Sequence, residues 1–254
     1  MENVTRRRLH LLDGIRGVVL VSMIVYHFSW NMVYLYGARW MWYRSNAAYW
    51  WQQSICWTFI LLSGFCWSMG RNHLKRGLMV FSGGALVTLV TLVFMPQNRV
   101  VFGVLTLIGS AMLLMIPVEK LVRNVPAEIG VGLSFALFLL VRNINKGYLG
   151  FEGVNLIALP DSWYENLLTT YLGFPAPAFY STDYFSLFPW FFLFVTGYFL
   201  YHVCRKKRLL DASVWEIKVP FADYLGKHSL LVYLLHQPVL YALMEILYYL
   251  GQIP

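Results

Sequence analysis

Long apolar segments separated by short polar ones run along the whole chain. Seven of them are long enough, or nearly so, for membrane-spanning helices, which need about 20 residues. The pattern predicts helices at residues 12–35, 49–69, 78–94, 101–116, 129–141, 184–203 and 230–250. Pro96 and Pro117 are expected to end the third and the fourth of these helices. The predicted fold class is therefore all-α: one polytopic transmembrane helix bundle that forms a single domain over residues 1–254.

The charged residues are few and unevenly placed. Only 13% of the residues are charged, against about 25% in soluble domains. If the N-terminus is cytoplasmic, the inner segments carry 14 Lys and Arg residues, including Arg6, Arg7 and Arg8, and the outer segments carry five. Because positive residues favour the cytoplasmic side, we predict a cytoplasmic N-terminus and an outer C-terminus. The net charge of +8 then reflects topology and contact with membrane lipids, and no nucleic-acid partner is expected.

Two features of the predicted outer side could contact a substrate. The longest loop, residues 142–183, is rich in Gly, Pro and aromatic residues, and it is expected to pack over the outer mouth of the bundle. Asp183 at its end and Trp190 in the next helix are predicted substrate contacts. The Trp and Tyr residues between positions 40 and 51 are typical of a membrane interface, with an aromatic platform for sugars as the alternative.

The first predicted span carries a polar face, made of Asp13, Arg16, His27 and Asn31. A helix turns 100° per residue, so Arg16 and His27, eleven positions apart, lie within about 20° of each other. Asp13 is three positions before Arg16 and is predicted to form an ion pair with it. Ionisable groups in a membrane usually face a bundle interior or a wet cavity. This face is either a structural contact between helices or a reaction channel.

The last predicted span carries a second polar face, formed by Ser229, Tyr233 and His236 at spacings of four and three. The helical rise places His236 about 14 Å and His27 about 22 Å from the inner surface, so both could line one cavity. Histidine can take a proton from an attacking hydroxyl or amine. Arg16 can bind phosphate, and its distance from His27, about 17 Å along the axis, fits a cofactor with a long thin arm. No metal is expected, because no third ligand lies at a suitable spacing.

Five pieces of the chain are similar, in order, to a known family. They are LLDGIRGVVLVSMIVYHFSW (11–30), FILLSGF (59–65), VVFGVLTLIGSAMLL (100–114), residues 172–198, and GKHSLLVYLLHQPVL (226–240). Together they resemble bacterial members of the heparan-alpha-glucosaminide N-acetyltransferase catalytic-domain family, which is related to the membrane acyltransferase-3 family. The resemblance extends over nearly the whole chain.

The resemblance implies a multi-pass acyltransferase of the bacterial cytoplasmic membrane. Its acyl donor would be cytosolic acetyl-CoA, and its acceptor an extracytoplasmic hydroxyl or amine, typically on a saccharide or glycan. In eukaryotic members, the position of His27 looks like an Asn, and a catalytic His lies in the loop that follows. The corresponding loop here, residues 37–48, contains no His, which places the expected general-base role on His27.

The resemblance also suggests roles for the other polar residues. His27 and His236 are the predicted catalytic residues, with His236 orienting the thioester or stabilising its oxyanion. The predicted acetyl-CoA contacts are Arg16, Ser229, Tyr233 and Thr106, the last of which stands where bacterial relatives tend to have His. Asn31, Asp183 and Trp190 are the predicted acceptor contacts, and Asp13 is a structural partner of Arg16.

Other interpretations stay open at this point. A proton-coupled transporter or flippase could use Asp13, Arg16 and His27 as a relay. A purely structural membrane protein could use the same residues to join helices. For an acyltransferase, direct transfer and an acetyl-His27 intermediate are both possible. The sequence also leaves open the acyl chain length and whether the protein forms a homodimer.

Overall fold

The computed structural model describes residues 9–253, and most of that range is helical. The helices, in chain order, are α1 (His10–Tyr34), α2 (Asn46–Trp67), α3 (His73–Phe94), α4 (Val104–Val122), α5 (Ala127–Leu140), α6 (Leu167–Leu172), α7 (Leu187–Lys206), α8 (Pro220–Lys227) and α9 (Ser229–Tyr249). Each of the seven predicted spans corresponds to one of the longer helices. The predicted all-α helix bundle is confirmed. Arg6, Arg7 and Arg8, which support the predicted orientation, lie outside the described residues.

Six helices in the described range are long and apolar enough to cross a membrane. They are α1, α3, α4, α5 with the turn that follows it, α7 and α9. The chain is therefore a multi-pass membrane protein. Helix α2 has 22 residues but is not among the six, since polar residues such as Gln52, Gln53 and Ser54 interrupt its apolar sequence. Whether α2 crosses the membrane, and which side each terminus faces, stay predictions.

The two prolines differ in their effect on the helices. Pro96 follows α3 and begins a short 3₁₀ turn, as expected. Pro117 lies inside α4, which continues to Val122, so the prediction that it ends the helix is wrong. A proline removes only one helical hydrogen bond, and packed neighbours in a membrane helix can compensate for this loss.

The segment after α5 contains regular structure that the sequence analysis did not predict. Strands β1 (Tyr148–Phe151) and β2 (Val154–Ala158) form an antiparallel hairpin, and α6 follows it. The buried Asn143 side chain donates to the backbone oxygens of Glu152 and Val154, at 2.8 and 3.1 Å. These bonds fix the hairpin to the end of α5. Its position over an outer mouth stays a prediction.

The chain forms two compact units. One contains the chain up to Phe59 and from Arg208 onward, and the other contains Ile60–Lys207. The prediction of a single domain remains untested.

In the first unit, α1 packs closely on α8 through glycines. A Cβ atom on Gly17 would lie 1.9 Å from the backbone oxygen of Ala222, and one on Gly226 would lie 1.9 Å from that of Asp13. The glycines of the LLDGIRG segment therefore allow two backbones to approach within a distance that other residues forbid. The adjacent core contains the buried side chains of Leu20, Met23 and Ile55.

In the second unit, small residues join the helices in pairs. Gly64 of α2 lies against the backbone of Phe194 in α7, and Gly109 of α4 lies against that of Phe81 in α3. Helix α5 contacts α7 through a buried hydroxyl pair, in which the Oγ of Ser134 and the Oγ1 of Thr196 are 2.9 Å apart. Close packing of small residues is the usual way in which membrane helices associate.

Candidate functional site

The two histidines that sequence analysis placed on separate helices meet in the first unit. The ring centroids of His27 in α1 and His236 in α9 are 4.9 Å apart, with the ring planes inclined by 52°. His236 is buried and His27 is partly buried. The polar faces of the first and last predicted spans therefore meet at these two residues, so a group bound beside one imidazole also lies beside the other.

A chain of side-chain amides extends from His27. The Nε2 of Gln237 lies 3.0 Å from the Nδ1 of His27. The Nδ2 of Asn31, which is fully buried, donates to the Oε1 of Gln237 at 3.3 Å. Gln237 therefore connects two residues of α1 that lie four positions apart. Within residues 9–253, no group donates a hydrogen bond to the Oδ1 of Asn31.

One ring nitrogen of His236 is hydrogen-bonded, and the other has no hydrogen-bond partner among the described residues. The Nδ1 of His236 donates to the backbone oxygen of Tyr233, one turn earlier in α9, at 2.5 Å. Its Nε2 is buried, and no group in the described part of the chain bonds to it. The Tyr233 ring lies 5.3 Å from the His236 ring and packs on the core around Leu20. Ser229 is the first residue of α9.

The inner end of α1, in the predicted orientation, carries the expected ion pair. The Nη1 of Arg16 lies 3.3 Å from the Oδ1 of Asp13, and 23% of the Arg16 side chain is exposed. Asp223 of α8, which is buried, lies 3.4 Å from the Nδ1 of His10. Asp223 was not predicted to be near α1, because α8 itself was not predicted.

An aromatic pocket lies at the other end of α1. Its volume is about 260 Å³, and it is lined by Tyr26, Trp30, Tyr34, Tyr43, Arg44, Ser45, Tyr49 and Gln52. Pockets that bind drug-sized molecules have volumes of about 300–1,000 Å³. This pocket is smaller, so it suits a ligand of about the size of one sugar ring better than a drug-sized molecule. The Tyr26 ring stands edge-on to the His27 ring at 5.9 Å. The pocket is therefore separated from the histidine pair by one aromatic side chain.

Tyr43 closes one wall of this aromatic pocket. Its hydroxyl donates to the backbone oxygen of Tyr26 at 3.3 Å. Burial, together with this hydrogen bond, raises the pKa of the Tyr43 hydroxyl above its ordinary value, so the hydroxyl keeps the proton that it donates. The pocket wall is thus held to α1 beside His27.

Three predicted site residues lie in the second unit, where each has a structural contact. Thr106 in α4 lies against Gly84 of α3, where a Cβ atom would be 2.5 Å from the Thr106 Oγ1. Asp183 lies 3.5 Å from the first backbone nitrogen of α4. Trp190 is buried, and the Arg142 guanidinium lies 4.7 Å from its ring centre. The ligand-binding roles of these residues stay predictions.

The matched family decides the class of the protein. A model of the family described as heparan-alpha-glucosaminide N-acetyltransferase, catalytic, matches residues 8–238. The chain belongs to this family. Comparisons with curated proteins and with solved structures found no match. The family resemblance derived from the sequence is thus confirmed, and membership identifies a membrane transferase of an acetyltransferase family that uses acetyl-CoA as donor.

The matched range of the N-acetyltransferase family contains the histidine pair and the amide chain. Sequence analysis missed Gln237, although it directly follows His236. Gln237 is four positions after Tyr233, so the helical turn places it at the edge of the face shared by Ser229, Tyr233 and His236. The available signal was the polar residue itself, since an amide within an apolar span needs a partner.

Proposed function

We propose that this chain transfers an acetyl group from acetyl-CoA to a hydroxyl or amine of a saccharide acceptor on the opposite side of the membrane. The observation that carries this proposal is the contact between the imidazoles of His27 and His236 in a member of an acetyltransferase family. One imidazole would act as general base on the acceptor, and the other would stabilise negative charge on the thioester oxygen.

The proposed donor site follows the polar face of α1. Arg16 would bind the phosphates of acetyl-CoA, with Asp13 holding its guanidinium in place. The arm of the cofactor would extend toward His27, about 17 Å farther along the axis. Ser229, Tyr233 and Thr106 remain proposed contacts of the donor.

Replacing Arg16 tests the donor site. We expect Arg16→Gln to raise the KM for acetyl-CoA by about 10–100-fold, since a hydrogen bond to a charged group contributes about 1.5–3 kcal/mol. With S-acetylpantetheine, a donor that lacks the nucleotide phosphates, wild type and Arg16→Gln are expected to have equal kcat/KM. Arg71→Gln, the same charge change at an exposed site, is the matched control. An equal loss with both donors would contradict a phosphate-binding role.

The aromatic pocket is the proposed acceptor site. Tyr and Trp rings provide flat apolar faces with polar edges, which suit a sugar ring. Arg44 adds a positive charge, and Tyr26 links the pocket to His27. Asn31, Asp183 and Trp190 remain proposed acceptor contacts.

A pair of tryptophan variants tests the acceptor site. We expect Trp30→Ala to raise the KM for the acceptor by about fivefold to tenfold through the lost ring contact, with the KM for acetyl-CoA unchanged. Trp50 is 48% exposed and does not line the pocket, so Trp50→Ala should leave both constants unchanged. If these aromatic residues serve only as a membrane interface, neither variant will change the acceptor KM.

The proposed activity is tested by release of CoA thiol from acetyl-CoA. Purified wild-type protein in detergent is incubated with acetyl-CoA and a panel of amino sugars and polyols. The proposal predicts acceptor-dependent thiol release and an acetylated product of matching mass. The proton-coupled transporter predicts instead no release, and substrate flux in proteoliposomes that follows a pH gradient and ignores acyl-CoA.

A further inference from the structure

We infer that the amide pair Gln237–Asn31 holds His27 as a hydrogen-bond donor and leaves His236 as the proton acceptor of the reaction. This inference deepens the proposed function and rests on it. It reverses the base role that sequence analysis gave to His27. It also assigns a positioning role to Gln237, which contacts the imidazole and not the reacting atoms.

The tautomer of His236 follows from its partner. A backbone oxygen can only accept a hydrogen bond, so the Nδ1 of His236 must carry a hydrogen to bond to Tyr233. A neutral imidazole has one ring hydrogen, which leaves a lone pair on Nε2. That nitrogen is buried, and no group within residues 9–253 bonds to it. His236 therefore presents a free basic nitrogen.

The tautomer of His27 follows from a partner that donates a hydrogen bond instead of accepting one. An amide nitrogen can only donate, so the Nδ1 of His27 must accept the hydrogen of Gln237 Nε2. In the neutral ring, the hydrogen of His27 then lies on Nε2. The lone pair of Nδ1 is occupied by the amide and cannot take a proton from a substrate.

Asn31 supports this orientation of the Gln237 amide. Its Nδ2 donates to the Oε1 of Gln237, so turning the Gln237 amide alone would bring two amide nitrogens together. Because His27 and Asn31 are four positions apart, they lie one above the other on the same face of α1. One glutamine from α9 can therefore contact both residues. The small network gives the two neighbouring histidines opposite hydrogen-bonding roles.

These roles give a balanced transfer step. The acceptor oxygen or nitrogen attacks the carbonyl carbon of the thioester, while its proton moves to the Nε2 of His236. The Nε2 hydrogen of His27 bonds to the oxyanion of the tetrahedral intermediate. The intermediate then collapses, the carbon–sulfur bond breaks, and the proton on His236 passes to the CoA sulfur. The products are the acetylated acceptor and CoA thiol.

Nitrogen NMR of protein labelled at the histidine ring nitrogens tests the tautomers in the wild type. His27→Gln and His236→Gln serve to assign the signals by their loss. We expect a protonated Nε2 and an unprotonated Nδ1 for His27, and the reverse for His236. A protonated Nδ1 on His27 would overturn the inference, since it requires both amides to be turned over. In Gln237→Met, which keeps the side-chain length without the amide, His27 is expected to become a mixture of tautomers.

Kinetics of the glutamine variants give a second, independent test. The amide nitrogen of Gln can replace the donor Nε2 of His27 but cannot act as a base. We therefore expect His27→Gln to retain activity within about tenfold of wild type, and His236→Gln to lose about 10²–10⁴-fold in kcat. The reverse ranking would overturn the inference while leaving the proposed function intact. Absence of acetyl transfer by wild type with the expected tautomers would overturn the proposed function, and with it the catalytic roles of the two histidines, while their hydrogen-bonding assignment would stand.

Discussion

Replacing either His27 or His236 with alanine is expected to lower kcat for acetyl transfer by about 10²–10⁴-fold, the range that spans the usual contributions of an oxyanion donor and of a positioned general base. The two rings are 4.9 Å apart, close enough for both to contact one reacting group. His27→Ala would remove the proposed hydrogen-bond donor to the oxyanion, and His236→Ala would remove the proposed proton acceptor. The measurement is the rate of CoA thiol release at saturating acetyl-CoA and acceptor.

The double variant, with alanine in place of both His27 and His236, tests whether the two histidines act in the same step. Residues that serve one step lose activity non-additively, so the double alanine variant should be little slower than the slower single variant. His228→Ala is the matched control, because His228 is exposed and directly precedes α9. A structural role for the pair predicts something different: lower melting temperatures for both alanine variants, with no acetyl-CoA turnover by wild type.

Gly17→Ala is expected to have the largest effect on stability. The added methyl would lie 1.9 Å from the backbone oxygen of Ala222, and a backbone atom cannot move aside as a flexible side chain can. Overpacking costs about 1–3 kcal/mol and occasionally more, so we expect a loss near the upper limit and a fall in melting temperature of about 10 °C. Thermal unfolding in detergent is the measurement.

Gly132→Ala is the control for this glycine substitution. Gly132 also lies in an apolar helix, but a Cβ atom there would have nothing within 4 Å. Alanine is a better helix former than glycine by about 1 kcal/mol, so Gly132→Ala should be neutral or slightly stabilising. Equal melting temperatures for the two variants would mean that α8 does not pack on α1 as closely as the structure places it.

The features that the sequence predicted correctly are those set by local geometry. Helices α1 and α9 follow from apolar segments of membrane-spanning length, and the pairing of Asp13 with Arg16 follows from a spacing of three on one helix. The sequence predicted that His27 and His236 could line one cavity from two polar faces, and the structure brings their rings to 4.9 Å. Each of these inferences needed only the helical rise and turn.

The missed features depend on contacts between distant parts of the chain. Helix α8 has eight residues, far fewer than a membrane span needs, and its place is set by the close approach to Gly17. Gln237 gained its importance only when α9 was packed beside α1, which brought His27 and Asn31 within reach. The hairpin after α5 is held to the end of that helix by the buried Asn143 side chain and by the ion pair between Arg142 and Glu152. Periodicity within one segment places a residue on a face but does not identify its partner on another segment.

Transfer of the acetyl group across the membrane is measured most directly in sealed proteoliposomes. Acetyl-CoA with a labelled acetyl group is supplied outside, and a saccharide acceptor is enclosed within. Wild-type protein is expected to produce labelled, acetylated acceptor inside the vesicles and free CoA thiol outside, and vesicles with His236→Ala should produce neither. Intact acetyl-CoA outside, together with unmodified acceptor that crosses the membrane along a pH gradient, would contradict the proposed acetyltransferase and identify a transporter.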